Sequence, residues 1–163
     1  MNARSRVVSV IGAADCSPEQ AKAAEAVGRG LAERGVVLVC GGRGGVMEAA
    51  CRGAQQAGGL TIGILPGDSV TAGNPYLTVA LPTSMGHARN ALVVLAGEVV
   101  IAIGGEAGTL SEIGLALKSG RRVIGLDTWE CRRTDGDRLA IGRAETPEQA
   151  VAAALDGAGP QER

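Results

Sequence analysis

Aromatic residues are almost absent from this sequence of 163 residues, which has one Trp, one Tyr and no Phe. Proteins that bind single-stranded nucleic acids stack the bases on aromatic side chains, so the composition speaks against that class. The charge distribution also argues against nucleic-acid binding, because the 16 basic residues are interspersed with 17 acidic ones and form no basic stripe. We therefore expect no nucleic-acid partner and, if a nucleotide is bound, a small one.

Long apolar runs are also missing, since every uncharged apolar stretch is far shorter than the ~18 residues that a membrane helix needs. The start, residues 1–6, is basic, but the apolar run after it is short and ends at Gly12 and Asp15. A signal peptide has a longer apolar region, so this run is interpreted as a first strand. We expect a cytoplasmic protein with no membrane association.

Metal ligands are scarce. His87 is the single histidine, and none of the four cysteines forms a C-x-x-C pair, so a structural zinc site has too few ligands and we predict no metal site. Cys40 ends an apolar strand and Cys51 lies in a helical pattern, which predicts that both are buried free thiols.

What the sequence does have is a regular alternation of apolar strands and helical patterns. Strands are predicted at residues 6–12, 36–40, 60–65, 77–81, 99–103 and 122–126, and helices between Ser17 and Gly35 and at 46–57, 86–96, 109–118 and 146–155. Continuous apolar strands that are each followed by a helix are typical of a parallel sheet covered on both faces. The sequence therefore predicts one α/β domain over residues 1–156, a Rossmann-like doubly wound, mostly parallel sheet, followed by a disordered tail, 157–163.

Two loops repeat the pattern strand–GGxxG–helix. Glycine allows close approach of the backbone to a ligand, and a helix start offers unpaired N–H groups and the positive end of a dipole. Parallel strands end at one edge of a sheet, so both loops are predicted to bind one phosphate-bearing ligand. The predicted binding residues are Gly41, Gly42, Gly44 and Gly45 in the first glycine loop and Gly104, Gly105, Gly108 and Thr109 in the second. The alternative is that these glycines only form tight turns; neither loop is a P-loop or a dinucleotide fingerprint.

Two charged residues accompany these loops. Glu112 follows Thr109 by three positions, so it either completes a capping box with Thr109 or directs its carboxylate into the cleft. Arg89 lies in the first turns of a predicted helix, where the helix dipole does not stabilise a cation. An anionic ligand or a carboxylate partner would explain an arginine at this position. The alternative is that Arg89 is a surface residue. The six apolar residues 91–96 that follow need cover on nearly every side, which a partner subunit would provide.

Several segments, in order, resemble the LOG-like superfamily. They are GGRGGVMEAACRGAQQAGG, GILPG, NPYL, MGHARN and IGGEAGTLSEIGLALKSG, and they span about residues 7–126. That group carried the label "possible lysine decarboxylase" and includes the LONELY GUY phosphoribohydrolases; the sequence looks most like its molybdenum cofactor carrier branch. The resemblance implies a Rossmann-like fold, homo-oligomers (dimers or tetramers) packed through helices, and a phosphate pocket at the second glycine loop.

The resemblance also implies site residues. The catalytic Arg and Glu of the LONELY GUY enzymes correspond by motif to Arg89 and Glu112. The motifs differ at three points: Asn90 replaces a Lys, one more residue separates Met85 from Arg89, and Ile103 replaces a Pro. The decarboxylase label does not fit, because a pyridoxal-phosphate enzyme needs a Schiff-base lysine, and Lys22 and Lys118 both lie outside the glycine loops.

Three hypotheses follow. The first is a carrier or sensor that binds a phosphorylated ligand such as molybdopterin or a nucleotide and requires no cofactor of its own. The second is an N-glycosidase that releases the base from nucleoside 5′-monophosphates. The third is an oligomeric scaffold with a vestigial cleft. Residues 128–143 are charged and irregular, and the sequence suggests no role for them.

Overall fold

The computed structural model describes residues 4–157, which form seven strands and five helices. The strands are β1 (Val7–Gly12), β2 (Val37–Cys40), β3 (Thr61–Leu65), β4 (Val79–Pro82), β5 (Val99–Ile103), β6 (Arg122–Leu126) and β7 (Ile141–Ala144). The helices are α1 (Pro18–Ala32), α2 (Val46–Gln56), α3 (Asn90–Ala96), α4 (Ala107–Lys118) and α5 (Pro147–Leu155). The predicted disordered tail lies, except for Gly157, outside the described residues.

All neighbouring strands pair in parallel, in the order β4-β3-β2-β1-β5-β6-β7. The chain therefore builds one half of the sheet outward from β1 to β4 and then returns to β5, on the other side of β1. Such a reversal is the topological switch point at which doubly wound sheets bind their ligands. The predicted Rossmann-like fold is confirmed.

Helices cover both faces of the sheet. One apolar core lies under α1, α2 and α5, and a second lies under α3 and α4. The central strand β5 is buried along its whole length because both of its faces are covered. Burial on two sides explains why the central strands are continuous apolar runs without alternation. Cys40 and Cys51 are buried in the first core with their Sγ atoms 3.5 Å apart, which confirms the prediction of buried thiols.

The structure corrects the predicted elements at two places. The predicted helix 86–96 is wrong in its first part, because Gly86–Arg89 forms a 3-10 turn and α3 begins only at Asn90. Strand β7 was not predicted, since its sequence IGRA contains a glycine and an arginine. It lies at the sheet edge with Gly142 and Arg143 exposed, so an apolar run is not required there.

The helix starts follow the sequence signals. The Ser17 hydroxyl accepts from the Gln20 amide at 3.1 Å, and the Gln20 side chain accepts from the Ser17 amide at 3.2 Å, which is the predicted capping box of α1. Thr146 caps α5 in the same way by accepting from the Gln149 amide at 3.2 Å. The two caps bond otherwise unpaired amides in the first turns of α1 and α5.

Two glycines allow α1 and α2 to cross in backbone contact. A Cβ atom on Gly28 would overlap the carbonyl oxygen of Ala50, and one on Gly53 would overlap that of Glu25. We expect Gly53→Ala to lower the free energy of unfolding by about 2–3 kcal/mol, because overpacking forces the two backbones apart. Urea unfolding at constant m-value measures this change.

Gly114 in α4 is the matched control, since it is also a helical glycine but has nothing within 4 Å of its Cβ position. Gly114→Ala should raise stability by about 0.5–1 kcal/mol, the ordinary gain in helix propensity. Equal effects of the two substitutions would contradict the close crossing of α1 and α2.

Candidate functional site

A cleft of about 440 Å³ opens at the carboxyl end of the sheet. Its walls are the segments that follow the first five strands, β1 to β5, and it includes the switch point between β1 and β5. The lining residues are Gly12, Ala14, Arg43, Met47, Pro66, Gly86, His87, Arg89, Asn90, Glu106, Gly108, Thr109 and Glu112. Both residues of the predicted catalytic pair are therefore brought into the same cleft.

Arg89 lies in the wall of this cleft and is only 8% exposed. Its Nη1 donates to the side-chain oxygen of Asn90 at 2.6 Å, while its buried Nε has no hydrogen-bond partner. Burial lowers the pKa of the guanidinium, and the nearby Glu112 carboxylate acts in the opposite direction. An arginine side chain keeps its charge in proteins, so this is a buried cation that the protein only partly satisfies.

Gly41 makes room for that guanidinium. A Cβ atom at Gly41 would lie 2.6 Å from Nη1 and 2.9 Å from Nη2 of Arg89. Contacts of this length do not occur for real Cβ atoms, so any larger residue would displace the arginine. Gly41 thus serves the site by positioning Arg89.

Glu112 faces the same space from α4 and is also 8% exposed. Burial raises the pKa of its carboxyl group to about 7, against the opposing effect of Arg89. Among the described residues no hydrogen bond to the Glu112 carboxylate is found, and no ion pair within 4 Å joins it to Arg89. The two groups influence each other across the cleft and leave space for a ligand between them.

Of the two interpretations of Glu112, the capping box with Thr109 is wrong. Helix α4 begins at Ala107, two residues earlier than predicted, and its N-cap is Glu106. Thr109 is buried in the first turn, and Glu112 lies one turn further along the helix, where it cannot cap the start. The alternative interpretation, a carboxylate in the cleft, is the one that the structure supports.

The second glycine loop presents the start of α4 to the cleft. Gly104 and Gly105 have φ angles of 52° and 104°, which favour glycine, and a Cβ atom on Gly105 would overlap the Thr109 side chain. The amide of Gly104 donates to the carbonyl of Leu126 at 3.1 Å and is therefore not free for a ligand. The amides of the first turn of α4, at Ala107, Gly108 and Thr109, have no partner within the helix. Gly108 and Thr109 line the cleft directly.

The first glycine loop contributes the side chain of Arg43 to the cleft lining, and its glycines pack against the protein. Gly42 donates its amide to the Sγ of Cys40 at 3.3 Å, and a Cβ atom on Gly45 would overlap the carbonyl of Ala13. Gly44 also packs against protein, with its Cβ position 3.2 Å from the carbonyl oxygen of Ala14. The cleft is lined by Arg43, the one charged residue of the loop. Contact of Gly41, Gly42, Gly44 and Gly45 with a ligand stays a prediction.

Sequence analysis missed Arg43, Asn90 and Glu106 as members of the site. Each had a signal in the sequence: Arg43 and Glu106 are the charged residues of the two glycine loops, and Asn90 follows Arg89 directly. Arg43 adds a second positive charge that acts on Arg89 across the cleft. The cleft therefore combines two arginines and a helix start, a set that suits a phosphate.

The following holds for residues 4–157. No group of three or more His, Cys, Asp or Glu side chains is arranged to hold a metal ion in this range. None of the helices within it is both long and apolar enough to cross a membrane.

A family model described as the SLOG cluster4 family matches residues 5–151. The chain belongs to this family. This confirms the resemblance of the glycine-loop segments to the LOG-like group.

Solved structures place this SLOG cluster4 protein beside molybdenum cofactor proteins. It is 36% identical to the molybdenum cofactor binding protein of the phototrophic bacterium Rippkaea orientalis, covering 93% of this chain and 96% of that one, with a TM-score of 0.83. It is 31% identical to the molybdenum cofactor carrier protein of Chlamydomonas reinhardtii, covering 92% and 96% of the two chains, with a TM-score of 0.77. These neighbours confirm the predicted branch.

A curated relative is more similar in sequence. An uncharacterized protein of Archaeoglobus fulgidus is 43% identical over 144 residues, which are 88% of this chain and 91% of the relative. This SLOG cluster4 protein thus shares nearly its whole length with its relatives.

Proposed function

We propose that this SLOG cluster4 protein binds a phosphorylated small molecule, the molybdenum cofactor or a nucleotide, in the cleft between β1 and β5, and acts as a carrier for it. The observation that carries the proposal is the buried guanidinium of Arg89, whose Nε has no partner in the protein. A buried, incompletely satisfied cation is costly, and an anionic ligand would satisfy it.

The other groups of the cleft fit the two ends of such a ligand. Arg43 and the first-turn amides of α4 suit a phosphate, because they add positive charge and unpaired donors. Glu112 suits the N–H groups of a pterin or a base, because its carboxylate has acceptor sites and lines the same cleft. The two neighbours named for the molybdenum cofactor support this choice of ligand.

The test is identification of the compound that co-purifies. The protein, purified without harsh washing, is analysed by native mass spectrometry and then denatured so that the released compound can be identified. A stoichiometric phosphorylated pterin or nucleotide is the expected result. If no phosphorylated compound is found, and neither AMP nor molybdopterin raises the melting temperature, the proposal is wrong.

Glu112 favours a second candidate function, hydrolysis of the N-glycosidic bond of nucleoside 5′-monophosphates. Burial raises its pKa to about 7, a value suited to proton transfer at neutral pH, and Arg89 stands across the cleft. A carboxylate would also stabilise the positive charge that develops on the ribose. Release of free adenine from AMP distinguishes an enzyme from a carrier; if it occurs, Glu112→Gln must abolish it for this mechanism to hold.

We further propose that the protein forms homo-oligomers through an apolar face made of Val79, Leu81, Leu92, Leu95 and Leu115. Each of these side chains is at least 37% exposed. Val79 and Leu81 pair in register with Ile62 and Ile64, which contact the core under α3 and α4, so all five lie on one side of the sheet. Several exposed apolar side chains on one side of a protein are typical of a subunit contact.

We expect the double substitution Leu92→Glu/Leu95→Glu to convert the oligomer into monomers, because it would place four carboxylates in a two-fold contact. Light scattering after size-exclusion chromatography measures the mass. Leu139→Glu is the matched control: Leu139 is 42% exposed, like Leu92 at 40% and Leu95 at 43%, but it precedes β7, at the opposite edge of the sheet from β4. An unchanged mass for the double variant would refute this contact.

A further inference from the structure

The segment that starts at Leu126, the last residue of β6, contacts the second glycine loop at three points. The carbonyl of Leu126 accepts from the amide of Gly104 at 3.1 Å. The Thr128 hydroxyl donates to the carbonyl of Gly104 at 2.5 Å, and the Trp129 indole Nε1 donates to the carbonyl of Glu106 at 3.3 Å. Both polar groups of the Gly104 backbone and the carbonyl of the N-cap residue of α4 are therefore bound by this one segment.

Besides these hydrogen bonds, the second glycine loop packs against the Gln20 side chain of α1 at Gly104. Its two glycines lie in the positive-φ region, where glycine has many accessible conformations, and no side chain caps the start of α4. The Glu106 carbonyl accepts from the Leu110 amide at 3.0 Å in the first turn of the helix, and Trp129 is its second donor. The contacts from Thr128 and Trp129 thus stabilise one conformation of a loop whose two glycines would otherwise allow several.

The segment itself is fixed to the sheet edge. Its Glu130 carboxylate binds three arginines: Arg132 at 3.0 Å, Arg138 at 3.1 Å and Arg143 at 2.8 Å. Arg143 belongs to β7, so this ion-pair cluster connects the segment to the last strand. A multiple contact of this kind holds the backbone better than an isolated surface pair.

We infer that Thr128 and Trp129 are positioning residues for the ligand cleft: they hold the second glycine loop so that the first-turn amides of α4 face the ligand. The inference rests on the proposed function of the cleft and assigns a role to the irregular segment 128–143. Neither side chain needs to touch the ligand, since the hydrogen bonds reach the loop from its far side. Trp129, with Gly104 and Gly105, lines a separate hollow there.

Amide hydrogen exchange of the ligand-free protein tests the inference directly. In Thr128→Val the shape is kept and the donor is lost, so peptides covering residues 104–112 should exchange several-fold, up to about tenfold, faster. Thr128→Ser keeps the hydroxyl and should restore the wild-type rate. Trp129→Phe keeps a ring and loses the Nε1 donor, and should accelerate the same peptides. Peptides covering residues 41–46 are the internal control. Unchanged exchange at 104–112 in both Thr128→Val and Trp129→Phe would overturn the inference.

Ligand binding provides the second readout. Trp129 is the only tryptophan, so the tryptophan fluorescence of the protein comes from this position alone. We expect it to change when AMP is added to the wild-type protein. By calorimetry, Thr128→Val should bind AMP several-fold more weakly at a nearly unchanged melting temperature, and Thr128→Ser should bind like the wild type. Equal affinity of Thr128→Val and wild type would contradict positioning while leaving the proposed function intact. Wild-type protein that binds no phosphorylated compound would refute the proposed function, and the exchange rates would still decide whether the loop is held.

Discussion

Replacing Arg89 by Gln is expected to weaken the binding of a phosphorylated ligand by about 10- to 100-fold without lowering the stability of the ligand-free protein. A hydrogen bond to a charged group contributes about 1.5–3 kcal/mol, and 1.4 kcal/mol corresponds to a factor of ten in affinity. The free energy of unfolding should stay the same or rise, because the variant no longer buries a cation whose Nε is without a partner. Titration calorimetry with AMP, or with the co-purified compound, and urea unfolding measure the two effects.

Arg121 offers a matched control for this substitution. Its Nε is also buried without a hydrogen-bond partner, and its Nη2 donates to the Leu95 carbonyl at 2.8 Å, but it is not among the residues lining the cleft. Arg121→Gln should therefore cost some stability and leave the affinity unchanged. If Arg89→Gln instead unfolds the protein and Arg121→Gln does not, Arg89 is a structural residue and the proposed anion site is wrong.

The opposite responses of affinity and stability would be informative in themselves. Replacing a residue that serves packing alone lowers the stability of the protein, whereas a residue that serves a ligand often makes the empty site less stable. Gly41 belongs to the same site, because the absence of a side chain there lets the Arg89 guanidinium approach the backbone. We regard the pair of Gly41 and Arg89 as the centre of the site.

The fold could be predicted from the sequence because its signals are local and redundant. Strands such as β5 are apolar without interruption, and α1 and α5 each begin with a hydroxyl residue followed by proline. The last strand, β7, escaped prediction because an exposed edge strand needs no apolar run. Burial, and not strand formation itself, produces the pattern that sequence analysis detects.

The candidate site could be predicted only to the level of its loops. The sequence places both glycine loops at one edge of the sheet, but it does not show which way each amide points. Gly42 and Gly104 donate their amides to Cys40 and Leu126. The residues of the two loops that line the cleft include Arg43, Gly108 and Thr109. Such contacts depend on tertiary neighbours that are distant in the sequence.

The same limit explains the two interpretations of Glu112. A capping box and a cleft carboxylate have the same sequence pattern, and they differ only in where α4 begins. The structure starts the helix at Ala107, and that shift of two residues moves Glu112 from the cap into the cleft. A boundary error of this size is ordinary for sequence-based analysis, but here it decides the role of a residue.

Glu112 should make the stability of the ligand-free protein depend on pH. Burial raises the pKa of its carboxyl group to about 7 in the folded state, from an ordinary value of 4.5. Between these two values the folded state binds more protons than the unfolded state, so the free energy of unfolding falls as the pH rises. The loss begins near pH 4.5, is complete slightly above pH 7, and amounts to about 3 kcal/mol in total.

Glu112→Gln removes this titration, since the amide resembles the protonated carboxyl group and carries no charge. We expect the variant and the wild type to be about equally stable at pH 4.5 and the variant to be more stable by about 3 kcal/mol at pH 8. Urea unfolding at a series of pH values measures the difference. Glu106→Gln is the control, because Glu106 lines the same cleft but is exposed, and its effect on stability should be small. A difference between Glu112→Gln and wild type that does not change with pH would mean that Glu112 is ionised and satisfied in the folded protein, and the carboxylate would then be a poor candidate for proton transfer to a nucleotide.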